Sequence, residues 1–90
     1  MCGIAGICSN NHNINSLWIK KMTDAIRHRG PDDEGYFFYA LNESKYYLAG
    51  GNDTPKEVYK ADLPYAPKQH IHDVKGNFNV ILGHRRLSII

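Results

Sequence analysis

The pattern of hydrophobic and polar positions begins with an apolar segment that predicts a strand. The first eight residues are apolar or small on both faces of an extended backbone, which predicts a strand covered on both sides. Gly3 and Gly6 weaken such a strand, so they indicate a place where another group approaches the backbone closely.

A helical period follows over residues 16–26. Asn15 or Ser16 is suited to cap this helix. The basic run at 27–29 suits the negative end of the helix dipole, and the Gly-Pro pair at 30–31 ends the helix. The apolar positions share one face, which we expect to be buried: Trp18, Met22, Ala25 and Ile26.

An aromatic run in the middle of the chain predicts a β-hairpin. Residues 35–41 contain Tyr-Phe-Phe-Tyr and form its first strand, residues 42–44 its turn, and residues 45–49 its second strand. The prolines and paired glycines of residues 50–68 predict mostly loop.

Two further strands are predicted near the C-terminal end. A short strand lies within residues 69–74, and the Lys-Gly-Asn sequence at 75–77 forms a turn. Alternation of Phe78, Val80 and Leu82 predicts a final strand that runs into residues 84–89.

Length and composition indicate one small folded domain or a piece of one. The chain has 90 residues, of which 42% are hydrophobic and 22% charged, and this argues against disorder and against a coiled coil. The net charge of +2 is too balanced to indicate a nucleic-acid or anionic-membrane partner.

Two cysteines are too few for a disulfide framework. The apolar run between them is too short for a signal peptide or a membrane span. We therefore expect a cytoplasmic protein with both thiols free, and we interpret Cys8 as a core thiol.

Cys2 is a candidate nucleophile because it follows the initiator methionine. If Met1 is removed, the thiol shares its residue with a free α-amine, whose pKa is about 8, and this amine can take the thiol proton. The alternative is that Cys2 is a small buried hydrophobic residue.

Basic residues near two turns are further candidates. Asp32 or Asp33 can pair with Arg29, and Arg86 at a strand end can fork two hydrogen bonds onto a carboxylate. The alternatives are an ordinary helix end and a solvated surface arginine. A zinc site built on the His-Ile-His run at 70–72 lacks the usual paired ligand spacing.

Three motifs together resemble one family. The opening Met-Cys-Gly-Ile-Ala-Gly-Ile resembles the start of class II glutamine amidotransferases. The Arg-His-Arg-Gly-Pro-Asp run at 27–32 and the Gly-His-Arg-Arg-Leu-Ser-Ile run at 83–89 resemble motifs of asparagine synthases. Their order and separation make the combined resemblance specific.

The resemblance implies an α+β fold of the N-terminal-nucleophile hydrolase type, a four-layer α/β/β/α sandwich. Residues 1–90 would be part of its glutaminase (type-2 amidotransferase) domain. Cys2 would attack the side-chain amide of glutamine, and Arg86 would hold the α-carboxylate. Four residues would support the pocket: Gly3, Arg29, Gly30 and Asp32.

The resemblance also implies partners. Ammonia would pass to a C-terminal synthetase domain of the same chain, which activates aspartate with ATP and magnesium, whereas this segment would hold no cofactor or metal. We expect glutamine as substrate, no nucleic-acid or membrane partner, and a possible homodimer. Because the family's Asn-Gly oxyanion motif is not among these residues, we expect them to be inactive alone.

Two alternatives stay open for function, namely a relative that amidates sugars or surface polysaccharides and an inactive binding module. Residues 42–77 are longer than the hairpin usual in this family. They are predicted to form an extended flap, a partner-facing loop or a surface insertion without function.

Overall fold

The computed structural model describes residues 2–9, 14–41, 43–62, 66–74 and 78–87. Within these ranges no helix has the length and apolar character that crossing a membrane requires. Two short 3₁₀ turns, Arg27–Arg29 and Ile71–Asp73, accompany seven regular elements. In chain order these are β1 (Gly3–Cys8), α1 (Ser16–Ala25), β2 (Asp33–Ala40), β3 (Lys45–Gly50), α2 (Lys56–Lys60), β4 (Gln69–His70) and β5 (Val80–Arg86).

The strands form one sheet in the order β1-β5-β2-β3-β4. Neighbouring strands are antiparallel except for the short parallel pair β3 and β4. The last long strand of the chain therefore lies between the first strand and the hairpin. The predicted α+β class is confirmed, as are the N-terminal strand, the hairpin and the final strand.

Helix α1 covers one face of the sheet, where the core lies. Asn15 caps the helix by accepting a hydrogen bond from the Leu17 amide, as predicted. Strand β2 alternates strictly between buried and half-buried positions, which sends every second side chain into the buried face of the sheet. The core cluster consists of Ile14, Ile19, Tyr36, Phe38, Ala40, Ala49, Ile71, Val74, Phe78 and Ile81.

The predicted buried face of α1 is wrong. Trp18 and Met22 are 50% and 39% exposed, whereas Ile19 and Thr23 are fully buried. The helix turns Thr23 inward because its hydroxyl shares a hydrogen bond of 2.8 Å with the Tyr36 hydroxyl. A polar group whose hydrogen bonds are satisfied is tolerated in a core. A prediction based on hydropathy alone therefore does not identify Thr23 as a buried residue.

The opposite face of the sheet is largely open among the described residues. Ile4 is 81% exposed and Leu82 is 47% exposed, and Cys8 lies on the same exposed side of β1. The prediction of a strand covered on both faces is therefore wrong here, and so is the interpretation of Cys8 as a core thiol. Among the described residues, the Leu82 side chain lies beside Gly6 on that side, and Ile4, Gly6 and Cys8 are nevertheless exposed.

The segment after the hairpin contributes to the core. It contains the short helix α2, which the sequence did not predict because five residues are too few to show a helical period. Thr54, Ala66, Ile71 and Val74 are all buried. The interpretation as a surface insertion is therefore wrong at these four residues. The turn predicted at 75–77 lies outside the described residues.

A buried arginine joins three separate parts of the chain. Arg85 and Glu34 have fully buried side chains, and Arg85 Nη1 donates to Glu34 Oε2 at 3.0 Å. Its Nη2 donates to Asp53 Oδ2 at 2.6 Å, and its Nε donates to the Gly30 carbonyl at 2.8 Å. The guanidinium thus holds β2, the loop after α1 and the loop after β3 together.

The carboxylates of this cluster are well satisfied. Glu34 accepts hydrogen bonds from the Tyr36 hydroxyl at 2.6 Å, from Lys20 Nζ at 3.2 Å and from the Asp53 amide at 3.0 Å. Burial raises the pKa of Glu34, but these donors outweigh burial and leave its pKa below the ordinary value. Hydrogen bonds from Arg27 and then Arg85 lower the pKa of Asp53 to about 2.

We expect Arg85→Met to destabilise the protein strongly. The substitution leaves the Glu34 and Asp53 carboxylates without their shared cation, which costs about 3–5 kcal/mol for a buried pair. The free energy of unfolding, measured by urea titration at pH 7, reports this loss. Lys60→Met, an exposed cation-to-methionine change at the end of α2, should stay within about 0.5 kcal/mol of wild type. Equal stability of the two variants would contradict the conclusion that the buried Arg85 cluster stabilises the fold.

We also expect acid to destabilise the protein through Asp53. Its pKa is about 2 instead of 3.8, so the folded state favours the charged form. The resulting stabilisation is complete above about pH 4 and disappears as the pH falls through about 2, which amounts to about 1–2 kcal/mol. Urea titrations between pH 2 and 7 measure it. Asp53→Asn should reduce the loss of unfolding free energy between pH 4 and pH 2. Asp62→Asn, at an exposed position, should leave that loss unchanged.

Candidate active site

Three strand ends meet at one end of the sheet. Gly3 of β1 pairs with Arg85 of β5, and Asp33 of β2 pairs with Arg86. Cys2 directly precedes β1. Continuing the β1–β5 register by one residue places Cys2 opposite Arg86.

The side chains of Cys2 and Arg86 belong to the open face of the sheet. Along β1, Gly3 is buried and Ile4 is exposed, so alternation assigns Cys2 to the side of Ile4. Along β5, Arg85 is buried and Arg86 is exposed on the side opposite the helix. The predicted nucleophile and the predicted carboxylate ligand therefore lie on one face of neighbouring strands.

Cys2 is exposed, which makes its thiol accessible at the start of β1. Gly3 faces the helix side, where a Cβ would come within 2.7 Å of Ile26 Cδ1 and 3.8 Å of Arg29 Cβ. The glycine thus lets the end of α1 and the following turn approach the backbone beside Cys2. Met1, whose removal would free the Cys2 amine, lies outside the described residues.

The loop at residues 30–32 lies directly on the end of β5. A Cβ on Gly30 would be 2.5 Å from the Arg85 carbonyl carbon and 2.6 Å from the Arg86 nitrogen, so only glycine fits there. Pro31 forms a parallel bridge with Arg86, and the Asp32 amide donates to the Arg86 carbonyl at 3.1 Å. The predicted supporting residues are therefore brought to the same end of the sheet as Cys2 and Arg86.

The Arg86 side chain is 48% exposed and, among the described residues, makes one weak ion pair. Its Nε lies 3.6 Å from Asp33 Oδ2. The two terminal nitrogens of a guanidinium carry four further N–H groups in a planar fork, which is the geometry that matches a carboxylate. Asp33 Oδ1 is buried and has no hydrogen-bond partner in the described part of the chain.

A cavity of about 720 Å³ occupies the open face. Ile4, Asp33, Leu82 and His84 line it on the sheet side, and α2 with the residues after it forms its other rim. Cys2 and Arg86 are not among the lining residues. They adjoin it, because Ile4 is the next residue after Cys2 on that face and Asp33 is paired with Arg86.

Several residues of this region were not predicted from the sequence. His84 lies on the open face over Gly35, where a Cβ would collide with its imidazole ring. Strand alternation assigns the two residues of the Arg-Arg pair to opposite faces. The apolar face predicted from Phe78, Val80 and Leu82 would have included Arg86, so this signal alone does not identify Arg85 as the buried one. The sequence gives no comparable signal for Asp53, because its partners are 26 and 32 residues away.

The histidine pair does not support a zinc site. His70 and His72 stack with ring centroids 4.9 Å apart, and His70 Nε2 lies 2.9 Å from Asn52 Oδ1. Across the described ranges, no group of three or more His, Cys, Asp or Glu side chains is placed to hold a metal ion.

Comparison with known proteins agrees with the motifs. The family model described as a glutamine amidotransferase domain matches residues 1–49. A curated protein of Methanocaldococcus jannaschii, provisionally named asparagine synthetase [glutamine-hydrolyzing] 2, is 54% identical over 39 residues. That match covers 43% of this chain and 8% of the relative, so the chain corresponds to a small part of that protein.

No solved structure gives a significant match to the chain. The family match nevertheless spans more than half of the 90 residues and includes Cys2, β1, the loop at 30–32 and most of the hairpin. On this match, the chain belongs to the glutamine amidotransferase domain family.

Proposed function

We propose that the chain supplies the nucleophile and the substrate-carboxylate ligand for glutamine hydrolysis. The observation that carries this proposal is the placement of Cys2 and Arg86 on one open face at the ends of neighbouring strands. Both are exposed and both adjoin a cavity. The match to the amidotransferase family supports the same assignment.

The chemistry follows from a thiol and an amine on one residue. After removal of Met1, the Cys2 amine accepts the thiol proton, and the sulfur attacks the carbonyl carbon of the glutamine side-chain amide. The C–N bond breaks, the nitrogen receives the proton and leaves as ammonia, and a γ-glutamyl thioester remains. Water then attacks the thioester, which releases glutamate and restores the thiol.

The surrounding residues have supporting roles in this proposal. Arg86 binds the α-carboxylate through its terminal nitrogens and so places the amide at Cys2. Gly3 and Arg29 pack beside the nucleophile, while Gly30 and Asp32 fix the end of β5 by close backbone contact. These four residues support the pocket without taking part in a bond-making step.

The fold of the whole domain is proposed to be the four-layer N-terminal-nucleophile hydrolase sandwich. The described residues pack one main helix on one sheet, and the sheet leaves an apolar face open at Ile4 and Leu82, which supports this proposal. A second sheet on that face would enclose the cavity beside Cys2. Residues 1–90 then form part of a type-2 amidotransferase domain.

The overall reaction is proposed to be asparagine synthesis. The similarity to the M. jannaschii protein supports this choice over amidation of a sugar or polysaccharide. Ammonia released at Cys2 would reach a C-terminal synthetase domain that uses ATP and magnesium to activate aspartate. The free cysteines Cys2 and Cys8 fit a reducing cytoplasmic setting.

We expect the complete native polypeptide, expressed with its own N terminus, to lose Met1 and to react at Cys2. Mass spectrometry after treatment with a diazo-ketone analogue of glutamine should show one adduct on that residue. Cys2→Ser should abolish the adduct, because the serine hydroxyl is a much weaker nucleophile than a thiolate.

Cys8→Ser provides the matched control, since Cys8 is a second exposed thiol on the same strand. This variant should retain full labelling and full ammonia release. A retained Met1, or equal labelling of Cys8 in the wild type, would contradict the mechanism and would favour an inactive binding module.

We expect Arg86→Lys to raise the KM for glutamine about 10–100-fold with little change in kcat. Lysine cannot form the two-pronged contact, and a contact made equally in the ground state and transition state affects KM alone. Ammonia release by the complete polypeptide measures both parameters. Lys60→Gln is the control and should match wild type; a fall in kcat at unchanged KM would assign Arg86 another role.

A further inference from the structure

Asp53 lies outside the part of the chain matched by the family model but contacts residues next to the proposed site. The match ends at residue 49, and Asp53 follows in the loop between β3 and α2. Its Oδ2 accepts a hydrogen bond from Arg85 Nη2 at 2.6 Å, and Arg85 is the residue before Arg86. The loop therefore reaches the strand that presents the substrate-carboxylate ligand.

A second set of contacts connects Asp53 to the start of the supporting loop. Arg27 Nε and Nη2 donate to the two Asp53 oxygens at 2.7 and 3.0 Å, in the two-pronged arrangement typical of a strong ion pair. Arg27 begins the 3₁₀ turn that leads to Gly30. Asp53 thus bridges the two basic motifs, one through Arg27 and the other through Arg85.

Asp53 is itself fixed in place by buried contacts. Its amide donates to Glu34 Oε2 at 3.0 Å. The next residue, Thr54, is buried, and its hydroxyl donates to the Glu34 carbonyl and accepts from the Gly51 amide. The loop is anchored to β2 on one side, so the Asp53 carboxylate has a defined position from which to hold Arg85.

This arrangement has a consequence for Arg86. Successive side chains of a strand point to opposite faces, so clamping Arg85 on the helix side fixes the direction in which Arg86 projects on the open side. Among the described residues, the Arg86 guanidinium makes one ion pair, the 3.6 Å contact with Asp33. Displacements of about 1 Å at a binding group are enough to lower reaction rates about 100-fold. The contact of Asp53 with Arg85 on the helix side is therefore expected to affect how accurately Arg86 is placed.

We infer that Asp53 is a positioning residue of the glutamine site, which acts on the substrate carboxylate through Arg85 and Arg86. The inference rests on the proposed function. Asp53 belongs to the helix side of the sheet and is not among the residues that line the open-face cavity, so it has no part in the bond-making steps.

Saturable inactivation of Cys2 tests this role. The diazo-ketone analogue of glutamine carries an α-carboxylate, so its half-saturating concentration reports recognition by Arg86. The limiting rate constant for inactivation by this analogue reports the reactivity of the Cys2 thiol. The rate of reaction with iodoacetamide, which has no carboxylate, reports the same property independently of Arg86. Asp53→Asn in the complete native polypeptide should raise the half-saturating concentration about tenfold and leave both thiol measures within about twofold of wild type.

Two further variants distinguish an effect on the position of Arg86 from a general loss of stability. Asp53→Glu retains the charge and should recover most of the affinity. Arg27→Gln removes the outer contact at a side chain that is 60% exposed, so it should fold and should raise the half-saturating concentration about threefold. Asp62→Asn, an exposed carboxylate of the same segment, should match wild type.

The outcomes that overturn the inference are distinct from failure of the proposed function. If wild type is labelled saturably at Cys2 and neither Asp53→Asn nor Arg27→Gln changes the half-saturating concentration, the inference is wrong while the function stands. A lower limiting rate or a smaller labelled fraction at unchanged half-saturation would show a folding role only. If wild type itself shows no saturable labelling at Cys2, the proposed function fails and the inference fails with it.

Discussion

The ion pair between Arg85 and Glu34 is the interaction on which the rest of the structure depends. Both side chains are fully buried, and removal of a charge from water costs several kcal/mol unless its partners are close and complete. Here the guanidinium donates to Glu34, Asp53 and the Gly30 carbonyl. These acceptors come from three separate segments, so the arginine is satisfied only when β2, the loop after α1 and the loop after β3 are all in place.

Strand alternation lets one short stretch of β5 serve two purposes. Arg85 points under the helix and joins the buried cluster, whereas Arg86 points to the open face beside Cys2. The same division occurs on β2, where Glu34 is buried and Asp33 pairs with Arg86. A buried, clamped arginine and the exposed arginine proposed to bind the substrate are thus neighbours along the chain on opposite faces of the sheet.

The segment after the hairpin is part of the buried cluster that lies behind the candidate site. Family similarity covers residues 1–49 and does not extend to this segment. Even so, Asp53 and Thr54 complete the hydrogen bonding of Glu34 and Arg85, and Ile71 and Val74 enter the core. The buried cluster therefore includes groups that the family motifs do not contain.

The sequence by itself determined the strand periods, the capped helix and the motifs around Cys2, residues 27–32 and Arg86, because each depends on neighbours a few positions away. Only the tertiary structure decided which face of α1 is buried and that Asp53 joins Arg85. Thr23 enters the core through a hydrogen bond to Tyr36, and Asp53 meets a cation 32 residues away. Local patterns record hydropathy and period, whereas pairing of buried polar groups depends on which distant segments the fold brings together.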